Sequence, residues 1–172
     1  PAHLPRTALI HGAISGVCEL GMAVPAFAYL GSLTLPGVLA FGLAIGTIEA
    51  ILPSNVLEGT DLAPAMKRFV ESIGRLRGGR RAYYRQFLPA LERWSATGIH
   101  IGTRGLVYVG LLTRNPLPWA LALAVFVLAD GVGYRLIYGG KLEDPARYHR
   151  FELALLGVAA ACMGLFLAFW RA

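Results

Sequence analysis

The chain has 172 residues, 56% of them hydrophobic and 15% charged, against about 45–50% and about 25% in ordinary soluble domains; its mean hydropathy is +0.56. These values exclude a disordered chain. The apolar residues also fall into five blocks of about 19–25, the length that crosses a bilayer as helix, which excludes an ordinary soluble domain. The net charge of +6 does not indicate nucleic acid, because the basic residues adjoin apolar blocks on both sides, as topology signals do.

Apolar length and Pro/Gly punctuation place spans at about Thr7–Leu30, Pro36–Pro53, Trp94–Thr113, Leu117–Tyr138 and Phe151–Trp170. The N-terminal run ends in Ala26-Phe27-Ala28, like a signal-peptide cleavage site. It is longer than a signal core, however, and carries His11 and Glu19, and another span follows at once. The expected organisation is one membrane domain over 1–172: hairpin 7–53, amphipathic cytoplasmic loop 54–93, hairpin 94–138 and last helix 151–170. Gly31–Leu35 and Arg114–Pro116 are short enough to be tight turns, so the first and second spans are expected to pair, and likewise the third and fourth.

Charge gives the orientation. The loop 54–93 and the loop 139–150 hold most of the Lys and Arg, including Lys141, Arg147 and Arg150, whereas the opposite side shows Arg114 and Arg171. Positive charge is retained inside, which puts the N-terminus in and the C-terminus out. An even number of spans would split the two basic loops across the membrane, so the charge pattern supports five. The fold class expected is therefore all-α, an integral membrane helical bundle in a bacterial-type inner or plasma membrane, with lipid as its first partner.

Within the long loop, Met66, Phe69, Val70, Ile73 and Leu76 share one helical face, with Lys67, Arg68 and Arg75 around the other. Such a helix is expected to lie in the membrane interface against anionic lipid. Tyr83, Tyr84 and Trp94 then fall where an aromatic belt is expected.

An internal repeat is suggested by an offset of 89, which lays Ile10, His11, Gly16 and Gly21 on Ile99, His100, Gly105 and Gly110. Pro36 and Pro118 correspond after a gap, and Glu49 and Asp130 fall at nearly matching places. Both hairpins start on the same side, so the relation would be a parallel repeat about the membrane normal, with the polar positions of the two halves facing each other.

Chemistry is sought among the polar residues inside the spans, since a charge at mid-bilayer costs at least about 2.5–3.5 kcal/mol and normally faces the bundle interior. His11, Ser15, Glu19 and Met22 form one stripe and Thr97, His100, Arg104 and Tyr108 another. Glu19 and Arg104 sit at similar depth and can pair. Intramembrane carboxylates can exchange protons with a lipophilic molecule, which makes Glu19, Glu49 and Asp130 the acid–base candidates, with His11, His100, Arg104 and Tyr108 as substrate-binding partners. Arg104 and Arg135 could instead hold an anionic head group.

The expected activity is binding of a lipophilic small molecule in an intramembrane polar cavity, with a proton-transfer reaction on it such as isomerisation or cyclisation. The alternatives are a haem- or quinone-associated subunit of a membrane redox complex, with His11 and His100 as axial ligands of a b-type haem, and a proton-coupled transporter. A homo-oligomer or a membrane-complex partner is compatible with each, and no nucleic acid is expected. Cys18 and Cys162 show no CxxC spacing and the histidines do not cluster, so no metal site is read from them; the chain also lacks P-loop, GxSxG and HExxH motifs.

The second half, with Gly102-Thr103-Arg104-Gly105-Leu106 in one span, Leu128-Ala129-Asp130-Gly131 in the next, then Gly139-Gly140 and His149 before a last span, resembles small DoxX-like membrane proteins. The resemblance covers about 70 residues and carries no catalytic motif. It implies a four-helix core and a link to quinone-dependent redox systems; the fifth span and the long basic loop depart from that pattern.

Overall fold

The structure is a computed structural model and describes residues 4–56, 64–78 and 87–171. Every described element is helical: α1 (Leu4–Leu30), α2 (Leu35–Val56), α3 (Pro64–Gly78), α4 (Leu88–Thr113), α5 (Pro116–Tyr138), a 3-10 turn (Lys141–Glu143) and α6 (Pro145–Arg171). Three of these, α1, α5 and α6, are long and apolar enough to cross a membrane.

The distribution of side chains reverses that of a water-soluble bundle. On α1 the inward face is Ala8, Gly12, Gly16, Leu20, Ala23 and Phe27, a small-residue stripe at helical spacing, while Ile14, Val17, Met22 (72% exposed) and Tyr29 (91% exposed) point outward. Large aliphatics outside and small or polar residues inside are what lipid-facing helices require, because lipid rewards close backbone approach rather than apolar burial. A water-facing surface with so many exposed Leu, Ile, Val and Met side chains would aggregate.

Helix α4 is the axis. Its 26 residues, at 1.5 Å each, extend about 39 Å, and residues 102–110 are buried without interruption. It packs against α6, α2 and α5, and this enclosure by protein explains how it carries Arg104 while its neighbours stay apolar. Glycines set the approach distances: a Cβ on Gly102 would stand 2.6 Å from the Cβ of Cys162 on α6, and one on Gly42 would stand 2.5 Å from the Cα of Ile101.

Of the two expected hairpins, α4 and α5 pack on each other as expected, whereas α1 and α2 do not. Helix α1 packs chiefly on α5 and α2 on α4, while α1 and α2 scarcely touch over their described residues despite the short turn between them. The cause lies in the small-residue faces. Gly12 and Gly16 of α1 look onto Val127, Gly131, Phe126 and Leu123 of α5, and Gly42 and Gly46 of α2 look onto Ile101, Thr97 and His100 of α4. Chain adjacency gives way to the surfaces that allow closest contact. The turns themselves are as expected: Gly31 takes a left-handed φ of 71° after α1, and Asn115 caps α5 by accepting from the Leu117 amide at 3.0 Å.

Helix α3 turns the apolar face expected to meet lipid onto protein. Phe69, Ile73 and Leu76 pack with Leu88, Leu142 and Tyr148 at one end of the bundle, so its apolar face is occupied by protein, and Val70 alone of the expected face is exposed. Lys67, Arg68 and Arg75 remain outward, and Arg68 Nε reaches Glu143 Oε1 at 3.2 Å. Tyr83 and Tyr84 lie outside the described residues; Trp94 is exposed.

Candidate functional site

The polar stripes of α1 and α4 meet in the bundle interior. Arg104 is 2% exposed. Its Nη2 donates to Glu19 Oε2 at 2.9 Å, its Nη1 lies 2.5 Å from His100 Nδ1, and its guanidinium carbon sits 5.5 Å from the centre of the Phe126 ring. His100 Nδ1 is also 3.9 Å from the same Glu19 oxygen. The expected Glu19–Arg104 pair is therefore present, with His100 as its third member.

This geometry fixes the histidine tautomer. A guanidinium only donates, so Nδ1 of His100 accepts from Arg104 and the ring proton of the neutral imidazole sits on Nε2. Axial ligation needs an unprotonated nitrogen, and ligating histidines donate their other N–H to an acceptor. Ligation of a b-type haem by His11 and His100 would therefore have to displace the Arg104 contact from His100 or use its protonated nitrogen. Among the described residues, no group of three or more His, Cys, Asp or Glu side chains is arranged to hold a metal ion.

A cavity of about 370 Å³ opens beside the triad, lined by His11, Glu19, His100 and Asp130 together with aromatic and aliphatic residues from α3, α4, α5 and α6. Four of the seven candidate residues thus share one cavity although they come from three helices. Asp130 receives a short hydrogen bond from the Ser15 hydroxyl, which joins α5 to α1. Met66 from α3 and Phe151 from α6 contribute to the same lining.

The other three candidates fall elsewhere. Arg104 lines a second cavity of about 500 Å³ with Glu19, Cys18, Met22, Phe41 and Ile45, so the Glu19–Arg104 pair borders both spaces. That second cavity occupies the gap that α1 and α2 leave between them. Tyr108 does not line either cavity: its hydroxyl accepts from the Leu33 amide at 2.6 Å and donates to the Leu33 carbonyl at 3.1 Å, which pins the α1–α2 turn. The side chain of Glu49 lies outside the described residues. Arg135, the other cation considered for an anionic head group, is exposed away from the cavity lining.

Two features went unread in the sequence. Tyr134 and Tyr138 line the cavity, stacked on each other with centroids 4.1 Å apart, and His11 lies 4.6 Å from Tyr134 on α5. Their signal was available, since Asp130, Tyr134 and Tyr138 recur every fourth residue and must share a helix face. The second feature is Glu152, which is 6% exposed, with Ser95 donating to it at 3.4 Å; nearby, Tyr148 donates to Glu92.

No protein-family model matches this chain, and no curated protein or solved structure matches it either.

Proposed function

We propose that this chain is a multi-pass membrane protein that takes a lipophilic small molecule into its intramembrane cavity and exchanges a proton with it through Glu19 and Asp130. In this reading α1, α2, α4, α5 and α6 are five spans, with the N-terminus and the two basic loops inside and the C-terminus outside. Helix α3 closes the cytoplasmic end.

One observation carries the reading: four polar side chains, each costly in lipid, converge on a single cavity whose remaining lining is mainly apolar and aromatic. A lipophile would lie along the apolar lining, with its polar head at the Glu19, His100 and Asp130 end. There the imidazole and the carboxylates bring proton donors and acceptors to one end of the cavity, as an acid–base step such as an isomerisation requires.

Mass spectrometry of protein purified in mild detergent tests this. The wild type is expected to release a co-purifying lipophile. Ala129→Phe, which fills the cavity at a lining position, is expected to lose that lipophile while remaining folded. A wild type that carries none, or a variant that retains it undiminished, would overturn the reading.

A further inference from the structure

The charge on the cavity wall is unevenly compensated. Glu19 is neutralised by the Arg104 guanidinium 2.9 Å away. Asp130 receives the Ser15 hydroxyl, and among the described residues no lysine or arginine pairs with it or lines the cavity. A hydroxyl brings a proton to share but no charge, so an ionised Asp130 has no lysine or arginine to balance it among the described lining residues, whose basic side chains are His11 and His100, and an unbalanced carboxylate is most costly where water is excluded.

The rings are a second and independent observation. Tyr134 and Tyr138 are stacked at 18° between planes and follow Asp130 on the same face of α5, while Phe126 on that helix already holds one cation, Arg104, over its face. Aromatic faces attract organic cations, most strongly where water is excluded. Carboxylate and rings together describe a site for positive charge on an apolar body.

We infer that the ligand of this cavity is a lipophilic organic cation, an alkyl- or aryl-substituted ammonium whose charge sits against Asp130 and whose apolar body lies along the aromatic lining. The inference rests on the cavity reading above and names the ligand class for it. An anionic lipophile of the same size would meet Asp130 with like charge, and Arg104, already held by Glu19 and His100, offers it no compensation.

The test uses the full chain in lipid nanodiscs and two probes of matched shape and opposite charge, tetraphenylphosphonium and tetraphenylborate, with empty nanodiscs subtracted. Saturable binding is expected for the cation, at least roughly tenfold tighter than for the anion. Asp130→Asn should weaken cation binding roughly tenfold or more while Asp130→Glu retains it, and Tyr134→Leu should weaken it about fivefold while Tyr134→Phe does not. Equal binding of the two probes, or unchanged cation affinity in Asp130→Asn, would refute the ligand class and leave the cavity reading standing. No saturable binding of either probe to folded wild type would overturn both. If Asp130→Asn does not fold, the Tyr134 pair decides: equal affinities of the Leu and Phe variants refute the cation site.

Discussion

The Glu19–Arg104 pair allows a quantitative test of how the bundle tolerates charge in its interior. In Glu19→Gln the amide oxygen can still accept from Arg104, and His100 Nδ1 still accepts at 2.5 Å, so what is lost is the charge. At about 4 Å between charge centres and an effective dielectric near 20, that attraction is about 4 kcal/mol. Removing one partner of a fully buried pair costs about 3–5 kcal/mol. Glu19 keeps 30% of its side-chain surface open, against 2% for Arg104, so the cost is discounted for solvent screening to roughly 2–4 kcal/mol. For a chain of this length the unfolding midpoint should then fall by roughly 5–15 °C. Arg104→Met should cost a similar amount because it leaves Glu19 without its cation. The double variant should recover most of the loss, since neither charge is then left without its partner. Thermal unfolding of the four proteins in one detergent gives the coupling energy directly. A Glu19→Gln protein as stable as wild type, or a double variant whose loss equals the sum of the singles, would refute the pairing.

Three other outcomes follow from particular contacts. Tyr108→Phe removes the partner of both the Leu33 amide and carbonyl and should cost about 1–3 kcal/mol while leaving lipophile retention unchanged; reduced retention at full stability would return Tyr108 to the binding site. Gly102→Val must push α4 and α6 apart at Cys162 and should cost at least about 1–3 kcal/mol, whereas Gly157→Ala, which meets nothing within 4 Å, should be neutral or slightly stabilising; equal midpoints for the two would contradict the close approach. Ile73→Asp buries a charge under α3 against Leu88, Leu142 and Tyr148 and should release that helix, which would be read as at least roughly tenfold faster tryptic cleavage at Lys67, Arg68 and Arg75; unchanged protection would mean that α3 is not held by this face.

What the sequence disclosed and what it hid have separate physical causes. The interior side chains His11, Glu19, His100, Arg104 and Asp130 were legible because each interrupts an apolar block, and helical spacing then assigns the face. Helix partners were not legible, because a stripe such as Gly12 and Gly16 states that something approaches closely without stating what. The α3 face was legible as amphipathic, but the same pattern serves lipid and protein, and here Leu88, Leu142 and Tyr148 reached it. Tyr134 and Tyr138 escaped notice because tyrosines near a span end are expected as interfacial anchors; only their stacking against His11 and the cavity gives them another role.

The packing also bears on the internal repeat. Under the offset of 89, Ala8 and Gly12 of α1 correspond to Thr97 and Ile101 of α4. Gly131 meets Ala8, and Gly12 meets Val127 and Gly131; on the other side, Gly46 meets Thr97 and Gly42 meets Ile101. Helix α1 therefore rests on α5 in the register in which α4 rests on α2, and Glu19 and Arg104 face each other across the α1–α4 contact. The correspondence breaks at one place. Helix α4 packs on α5, whereas its counterpart contact, α1 on α2, scarcely forms, and the 500 Å³ cavity bordered by Cys18, Met22, Phe41 and Arg104 occupies that gap. A duplicated bundle that closed both contacts would seal Arg104 from the bilayer. Leaving one open sets the buried ion pair between a space facing the α1–α2 gap and the aromatic cavity around Asp130.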